Sequence, residues 1–206
     1  DAFKFIVSVS SPEFNLTQFR DKKQPNGGMH RDEKYVCGDM NTSIIKTQLG
    51  RTIMIQHDVV SPRPYSRINA LCGTQATFFG YPSRLAVAGS NDHPAVKGMK
   101  LSSHSWLENE KVDAFMKANE HPLVKKIGEI AKKVGGHGGM YHVMNYRMLD
   151  CVRQGITPDM TVYDAANWSA ILELSVRSVK EGSLPIQCPD FTRGGWNGLK
   201  PLGIVS

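Results

Sequence analysis

The hydrophobic pattern of this chain changes once along its length, and that change constrains the fold more than any single motif. In the first part of the chain, apolar and polar residues alternate in short runs bounded by turn residues, which is typical of β-strands. In the last part, apolar residues recur at helical spacing. Strands followed by helices predict an α+β fold, in which a large, mostly antiparallel open sheet has helices packed on one face.

Turn and capping residues give approximate bounds to these segments. The predicted strands are 3–10, 35–49, 51–60, 65–72, 75–79 and 83–88, with hairpin turns at Gly50 and Gly73. The predicted helices are 12–22, 106–118, 122–134, 138–154 and 164–181. The polar segment 90–105 predicts a surface loop. A chain of 206 residues fits one domain, or at most two small ones.

Single residues carry further structural predictions. Ser11 is predicted to cap the first helix, with Pro12 at its first helical position. Met144, Met148 and Trp168 lie on the apolar stripes of the last two helices, so they are predicted to be core residues rather than ligand contacts.

Composition argues against several classes of protein. The net charge is +6, but Lys and Arg form no long block with interleaved aromatic residues, so no nucleic-acid surface is indicated. There is no apolar run of about 18 residues, and the four cysteines lack metal-ligand spacing, so neither a membrane span nor a metal site is indicated. The first residues resemble a strand rather than a signal peptide, which predicts an upstream part outside this chain. The compartment stays open between the periplasm or cell exterior and the cytoplasm.

A proline-bracketed, cationic and aromatic segment, residues 56–67, continues a predicted strand. Its two prolines fix their own φ and push the preceding residues into extended backbone. Side chains two apart in an extended segment share a face, so Arg63, Tyr65 and Arg67 are predicted to project together. A tyrosine between two arginines suits a polyhydroxylated or anionic ligand.

The glycine-rich segment 135–139 has His137 at its centre and joins two predicted helices. A dinucleotide-binding loop must instead follow a strand and open a helix, and its glycines are spaced differently. The context favours a helix C-cap and a tight corner with close helix packing. It leaves open a second reading, in which His137 faces a ligand.

Three polar residues near the first hairpin have competing interpretations. His57 is interpreted as a core histidine in preference to a ligand, and it cannot pair with Asp58, because neighbours on a strand point to opposite faces. Asp39 and Asp58 could form a carboxylate pair across the hairpin, but glycosidase chemistry of that kind depends on their separation. These residues alone do not separate an enzyme from a binding module.

Five segments, taken together and in order, are more specific than any of these features. They are GDMNTS (38–43), GRTIMIQHD (50–58), SPRPYSRIN (61–69), GGHGGM (135–140) and PDFTRG (189–194). In these segments the chain resembles the C-terminal substrate domain of glycoside hydrolase family 109, a branch of the Gfo/Idh/MocA-type oxidoreductases. The resemblance extends from about residue 4 to residue 196.

The resemblance implies that two domains have separate roles. An N-terminal Rossmann domain, absent from this chain, holds NAD, and the C-terminal domain supplies one wall of a sugar site. The reaction it implies is oxidation at C3, elimination at C1, addition of water and reduction. Tyr65 matches a substrate-binding tyrosine, while Arg63, Arg67 and His137 are weaker candidates. Relatives have Asp-Phe where this chain has Tyr141-His142, and that difference leaves its specificity open.

Three functions follow as hypotheses. The first is the substrate domain of an NAD-dependent glycosidase acting on a terminal N-acetylgalactosamine-type glycoside, which is inactive as an isolated fragment. The second is the substrate domain of a Gfo/Idh/MocA sugar or cyclitol dehydrogenase. The third is a non-catalytic carbohydrate-binding or oligomerisation module, whose exposed sheet forms a homo-oligomer.

Overall fold

The computed structural model of this protein describes residues 1–24, 28–58, 60–88, 96–97, 104–107, 109–200 and 202–204. They fall into two compact units. The first is built from Asp1–Pro62 and Gly155–Pro201, and the second from Arg63–Gln154 and Leu202–Ser206.

A four-stranded antiparallel sheet forms the centre of the first unit, with strand order β3-β2-β1-β7. Its strands are β1 (Phe3–Ser10), β2 (Met40–Thr47), β3 (Thr52–Asp58) and β7 (Ile186–Gln187). The predicted bounds of β1 are confirmed. The first predicted hairpin is also confirmed, because β2 and β3 pair on either side of Gly50, which has φ +89°. The strand before this turn begins at Met40 rather than at residue 35.

One long helix, α5 (Val162–Lys180), packs against β1 and β7 of this sheet. A capping box starts the helix: Thr161 Oγ1 accepts from the Asp164 backbone N–H, and the Asp164 carboxylate accepts from the Thr161 backbone N–H. The sequence prediction missed this cap and began the helix two residues late. The buried apolar residues between helix and sheet are Ile6, Ile45, Leu174 and Ile186.

Three buried serines link the helix and sheet through hydrogen bonds. Ser178 Oγ on α5 accepts from the Ser8 backbone N–H at 2.9 Å and donates to the Leu184 carbonyl at 2.8 Å. Ser8 Oγ lies 2.6 Å from Ser43 Oγ on β2. Because β7 pairs with only two residues of β1 and ends before Ser8, Ser178 supplies an acceptor where strand pairing has stopped.

The first helix, α1 (Asn15–Lys23), begins later than predicted, and Ser11 is not its cap. The Asp39 carboxylate accepts from the backbone N–H groups of Phe14 and Asn15, at 3.2 Å and 3.1 Å. An acceptor that is distant in sequence therefore satisfies the free N–H groups of the first turn, which the sequence pattern assigned to a local serine.

The second unit contains a three-stranded antiparallel sheet in the order β4-β5-β6 and, among the described residues, three helices. Its elements are β4 (Ala70–Cys72), β5 (Ala76–Phe79), β6 (Arg84–Val87), α2 (Glu110–Ala118), α3 (Pro122–Val134) and α4 (Met140–Gln154). Its buried core consists of Leu85, Val87, Val96, Leu107 and Val112. The predicted bounds of α3 are confirmed, since Pro122 occupies the first turn and Gly135, with φ +80°, follows the last.

The strand predicted over residues 65–72 is wrong in its first five residues. Only Ala70–Cys72 pairs, while the preceding backbone is irregular. Ser66 Oγ accepts from the Ile68 backbone N–H at 3.1 Å, and Ile68 has φ +45°, so the chain turns locally instead of extending. The helix predicted from residue 106 likewise begins only at Glu110.

The prediction that three apolar side chains on the last helices belong to the core is also wrong. Met144 and Met148 on α4 are 47% and 59% exposed, and Trp168 on α5 is 54% exposed. Helical spacing identifies an apolar stripe, but it does not show whether another element covers that stripe. On α5 the buried positions are Leu174 and Ser178.

The predicted α+β class is confirmed, with antiparallel strands and helices in both units. The described strands form a sheet of four and a sheet of three rather than one large sheet. Most of the predicted loop 90–105 lies outside the described residues. Within it, Val96 is described and belongs to the buried core of the second unit.

Candidate functional site

Tyr65 and Arg67 lie side by side in the irregular segment that precedes β4. Arg67 Nε donates a hydrogen bond to Tyr65 Oη at 2.6 Å, and its guanidinium carbon is 5.9 Å from the centre of the Tyr65 ring. Of the three side chains predicted to project together, Arg63, Tyr65 and Arg67, the last two are therefore in contact. Arg63 lies two residues before Tyr65 in the same segment and is exposed.

A second tyrosine, which the sequence prediction missed, completes this group. Tyr81 lies in the turn between β5 and β6, and its ring packs edge to face against Tyr65, with centroids 6.0 Å apart and planes at 79°. Tyr65 and Tyr81 are 73% and 50% exposed, so both can contact a ligand. The only sequence signal for Tyr81 is an aromatic residue in the Gly80-Tyr81-Pro82 turn. We call Tyr65, Arg67 and Tyr81 the tyrosine wall.

The electrostatics of the tyrosine wall are set by one hydrogen bond. The Tyr65 hydroxyl, as acceptor, raises the pKa of Arg67 above its usual value, and the nearby Tyr81 raises it further. Arg67 therefore stays cationic wherever the protein is folded. The wall offers two aromatic faces, hydroxyl groups and a fixed positive charge, which suits a ring with several hydroxyl groups.

An arginine with two aromatic neighbours lies at the other end of the same turn. The guanidinium carbon of Arg84 is 5.8 Å from the centre of the Phe79 ring and 5.3 Å from that of the Trp106 ring. The two rings meet edge to face, 5.4 Å apart. The sequence prediction did not select any of the three residues.

The glycine-rich segment forms the corner between α3 and α4. All five residues from 135 to 139 have positive φ, between +53° at His137 and +92° at Gly139. A Cβ added to Gly139 would lie 2.7 Å from the backbone carbon of Ala131, so α3 and α4 approach too closely here for any other residue. The predicted close packing is therefore confirmed, and the strand–turn–helix context of a dinucleotide loop is absent from this segment.

His137 is exposed and pairs with Tyr141, with ring centroids 5.8 Å apart and planes at 33°. Among the described residues, no hydrogen bond or ring contact joins this pair to the tyrosine wall. The structure thus brings together Tyr65 and Arg67, and it places His137 beside Tyr141.

The acidic residues near the first hairpin have local structural partners. Asp39 caps α1, and Asp58 Oδ1 accepts from the backbone N–H groups of Val60 and Ser61. The interpretation of His57 as a core histidine is wrong, because the residue is exposed on β3, at the edge of the sheet. An alternating pattern predicts the face of a side chain, but not whether its strand lies at the edge.

A cavity of about 340 Å³ lies beside α1 in the first unit. The His30 ring nitrogen and the Glu33 carboxylate form a hydrogen bond of 2.6 Å at this cavity, and that hydrogen bond lowers the pKa of Glu33. The cavity is lined by Leu16, Phe19, Arg20, Lys23, Gln24, His30, Glu33 and Tyr35. Its volume is at the lower end of small-molecule pockets.

Two kinds of feature are absent from the described part of the chain. No helix there has the length and apolarity that a membrane crossing requires. No group of three or more His, Cys, Asp or Glu residues there is arranged to hold a metal ion.

Comparison with known proteins assigns the family. The protein-family model described as glycosyl hydrolase 109, C-terminal domain, matches residues 1–198. The chain belongs to the glycosyl hydrolase 109 family. This confirms the family that the five segments of the sequence indicated.

Two curated relatives show how much of a glycosyl hydrolase 109 protein the chain represents. Glycosyl hydrolase family 109 protein 2 of Akkermansia muciniphila is 43% identical over 210 residues, covering 100% of this chain and 42% of that protein. The family 109 protein of Solibacter usitatus is 44% identical over 202 residues, covering 98% and 43%. This glycosyl hydrolase 109 chain therefore spans less than half the length of these relatives.

One solved structure matches the glycosyl hydrolase 109 chain weakly. It is the WlbA dehydrogenase from Bordetella pertussis, in complex with NADH and UDP-GlcNAcA. The match covers 91% of this chain and 42% of that chain, at 10% identity and a TM-score of 0.41. A likeness at this level carries no argument about function.

Proposed function

We propose that this chain is the substrate domain of an NAD-dependent glycosidase that acts on a terminal N-acetylgalactosamine-type glycoside. The observation that carries the proposal is the tyrosine wall, found in a chain that belongs to a glycosyl hydrolase family. In this proposal the tyrosine wall binds and orients the terminal sugar, and the chemical step depends on a domain outside these 206 residues.

The residues of the tyrosine wall have distinct roles in binding. The exposed faces of Tyr65 and Tyr81 stack against the apolar face of a sugar ring. Arg67 holds the Tyr65 hydroxyl through the 2.6 Å hydrogen bond, and this fixes the angle of the ring without using all the N–H donors of the guanidinium. The remaining N–H groups of Arg67 can donate to sugar hydroxyl or acetamido oxygens. Arg67 is therefore both a positioning residue and a contact.

NAD belongs to the proposal only as a group held elsewhere. The glycine-rich corner joins two helices and does not fit a dinucleotide fingerprint, so this segment supplies no such site. Because the chain spans less than half the length of its glycosyl hydrolase 109 relatives, we assign the cofactor to an N-terminal Rossmann domain of the parent protein, and we expect the isolated 206-residue chain to be inactive.

The test uses the parent protein and an aryl α-N-acetylgalactosaminide. Tyr65→Phe removes the acceptor of Arg67 and frees the guanidinium to move, so kcat/KM is expected to fall about tenfold or more, the equivalent of one charge-assisted hydrogen bond. Tyr163→Phe is the matched control, because Tyr163 lies in the first turn of α5 and is 48% exposed. Equal activity of both variants and wild type would remove Tyr65 from the site.

Product analysis in the same assay separates the glycosidase from the sugar dehydrogenase. Free sugar without accumulation of NADH supports the glycosidase, because the hydride returns to the product. Net release of NADH with the glycosidic bond intact would replace the proposal by a dehydrogenase. Turnover by the isolated 206-residue chain would contradict the assignment of the cofactor to another domain.

A specific observation also favours self-association of the chain through its four-stranded sheet. Val7, Ile44 and Met54 are opposite one another in register on the face away from α5, and the last two are 49% and 71% exposed. This face carries two charged side chains, Lys46 and Asp58, at its opposite ends. Lys46 donates a hydrogen bond to the Gly50 carbonyl, and Asp58 accepts one from the Ser61 backbone N–H. An apolar row with charges only at its ends is self-complementary about a two-fold axis, so we propose a second copy of the chain as its partner.

Sedimentation velocity over a range of protein concentrations tests this partner. Ile44→Lys places a charge in the middle of the row and is expected to shift a dimer to monomer. Val36→Lys is the control, because Val36 is 91% exposed and lies outside the strands. A wild-type chain that stays monomeric at high concentration would refute the proposal.

A further inference from the structure

Arg84 is the first residue of β6, and two aromatic rings fix its guanidinium. The Phe79 and Trp106 rings lie within 5.8 Å and 5.3 Å of its central carbon. Such contacts replace water around the cation and restrict the plane in which its N–H groups point. An arginine held in this way loses part of its hydration before any ligand arrives.

Among the described residues, no acceptor compensates the Arg84 Nε–H for that loss. Its Nε is buried and has no hydrogen-bond partner. Among the described residues, no carboxylate forms an ion pair with Arg84, although Arg20, Arg31, Arg51, Arg147 and Arg177 all have such partners. Buried polar groups are almost always satisfied, and an unsatisfied charged donor calls for an ion or ligand that completes it.

The neighbouring Arg67 shows the contrast within the same unit. Its Nε donates to Tyr65 Oη, so its charge has a fixed acceptor. The turn between β5 and β6 connects the two arginine environments: Phe79 ends β5, Tyr81 lies in the turn and packs against Tyr65, and Arg84 begins β6. Arg84, whose Nε–H lacks an acceptor among the described residues, therefore lies at the end of the turn that contributes Tyr81 to the tyrosine wall.

We infer that Arg84 is the receptor for an anionic group, a carboxylate, sulfate ester or phosphate, on a ligand bound at this turn. The inference builds on the proposed sugar-binding role of the tyrosine wall. A planar or tetrahedral anion can accept from the Nε–H and one terminal amino group together, and this bidentate contact would give the buried Nε–H the acceptor it lacks. Two sources share this chemistry, an acidic substituent on the sugar and a phosphate of the nucleotide cofactor.

The experiment follows the Arg84 Nε–H and the Trp106 indole N–H by ¹⁵N NMR in the 206-residue chain. The probes are galacturonic acid, galactose 6-sulfate, NAD⁺ and neutral galactose. We expect both signals to shift with an anionic probe and to stay unchanged with galactose. A response to the acidic sugars identifies an acidic substituent, whereas a response to NAD⁺ alone identifies a nucleotide phosphate.

Variants at Arg84 make the result quantitative. Arg84→Met keeps the packing against Phe79 and Trp106 and removes the charge, so affinity for the anionic probe is expected to fall about tenfold or more. Arg84→Lys keeps the charge without the planar fork and serves if the methionine variant does not fold; it is expected to lose less affinity. If replacing Tyr65 weakens sugar binding but replacing Arg84 leaves the affinity unchanged, the inference is overturned and the proposed function stays intact. Unshifted signals at saturating anion would also overturn it.

Discussion

Replacing Ser178 by alanine tests the packing of α5 on the four-stranded sheet. The change removes two hydrogen bonds at once, from the Ser8 backbone N–H and to the Leu184 carbonyl. Ser8 and Ser178 are both 0% exposed, so the Ser8 N–H is left unsatisfied in the interior. Leu184 is 57% exposed and its bond to Ser178 is only partly buried, so losing the second bond is expected to cost less than losing the first.

The magnitude follows from the buried donor. An unsatisfied buried backbone N–H costs about 1–3 kcal/mol, and losing the bond to the Leu184 carbonyl is expected to add less. We therefore expect Ser178→Ala to lower the free energy of unfolding by about 2 kcal/mol. Ser175→Ala is the matched control, because Ser175 Oγ donates only to the Leu172 carbonyl of its own helix, where alanine is the better helix former. Its change is expected to be within about 0.5 kcal/mol of zero.

Urea unfolding followed by circular dichroism measures both variants, and hydrogen exchange at the Ser8 amide reports the local effect. Faster exchange at Ser8 in Ser178→Ala alone is expected. If Ser178→Ala and Ser175→Ala are equally stable, and the Ser8 amide stays equally protected, then Ser178 does not replace the missing strand partner and the reasoning fails.

Two further predictions concern the glycine-rich corner and the PDFTRG segment. Gly139→Ala should lower the free energy of unfolding by about 3 kcal/mol or more, because the new Cβ meets the Ala131 backbone in addition to the strain of φ +92°. Gly138→Ala, with open space and φ +70°, should lower it by about 1–2 kcal/mol. Thermal unfolding measures both variants, and equal losses would contradict the close approach. The Thr192 hydroxyl and backbone N–H groups lower the pKa of Asp190. The Asp190 carboxylate therefore contributes stability above its unfolded pKa, and this contribution is lost as the pH falls through the lowered, folded-state pKa. Hydrogen exchange at the Gly194 amide should accordingly lose protection in acid, and Asp190→Asn should abolish that acid-dependent loss. An unchanged pH profile in Asp190→Asn would refute the prediction.

The parts of the fold that the sequence predicted correctly depend on local chemistry. The bounds of α3 follow from Pro122 and Gly135, and the first hairpin from Gly50, because each residue acts on its own backbone. Residues that depend on distant partners were not predictable. The Ser178–Ser8 hydrogen bond spans 170 positions in sequence, and the carboxylate of Asp39 caps a helix on another segment.

In the candidate site, too, contacts between residues close in sequence could be predicted and contacts between distant residues could not. Tyr65 and Arg67 were predicted to lie together because they are two residues apart in a segment interpreted as extended. They do lie together, but a side-chain hydrogen bond joins them and the backbone turns locally at Ser66 and Ile68. Tyr81 joins them only after the β5–β6 hairpin closes, so spacing could not reveal it. The exposed Met148 was predicted to be buried, because helical spacing cannot show which apolar stripes remain uncovered.

The central claim is that the tyrosine wall binds the sugar, and one titration tests it most directly. N-acetylgalactosamine is added to the ¹⁵N,¹³C-labelled chain, and the shifts are mapped by residue. The account predicts that the Arg67 Nε–H and the ring signals of Tyr65 and Tyr81 move together with one dissociation constant. Shifts confined to Phe19 and Tyr35, at the cavity beside α1, with the tyrosine wall unchanged, would contradict it.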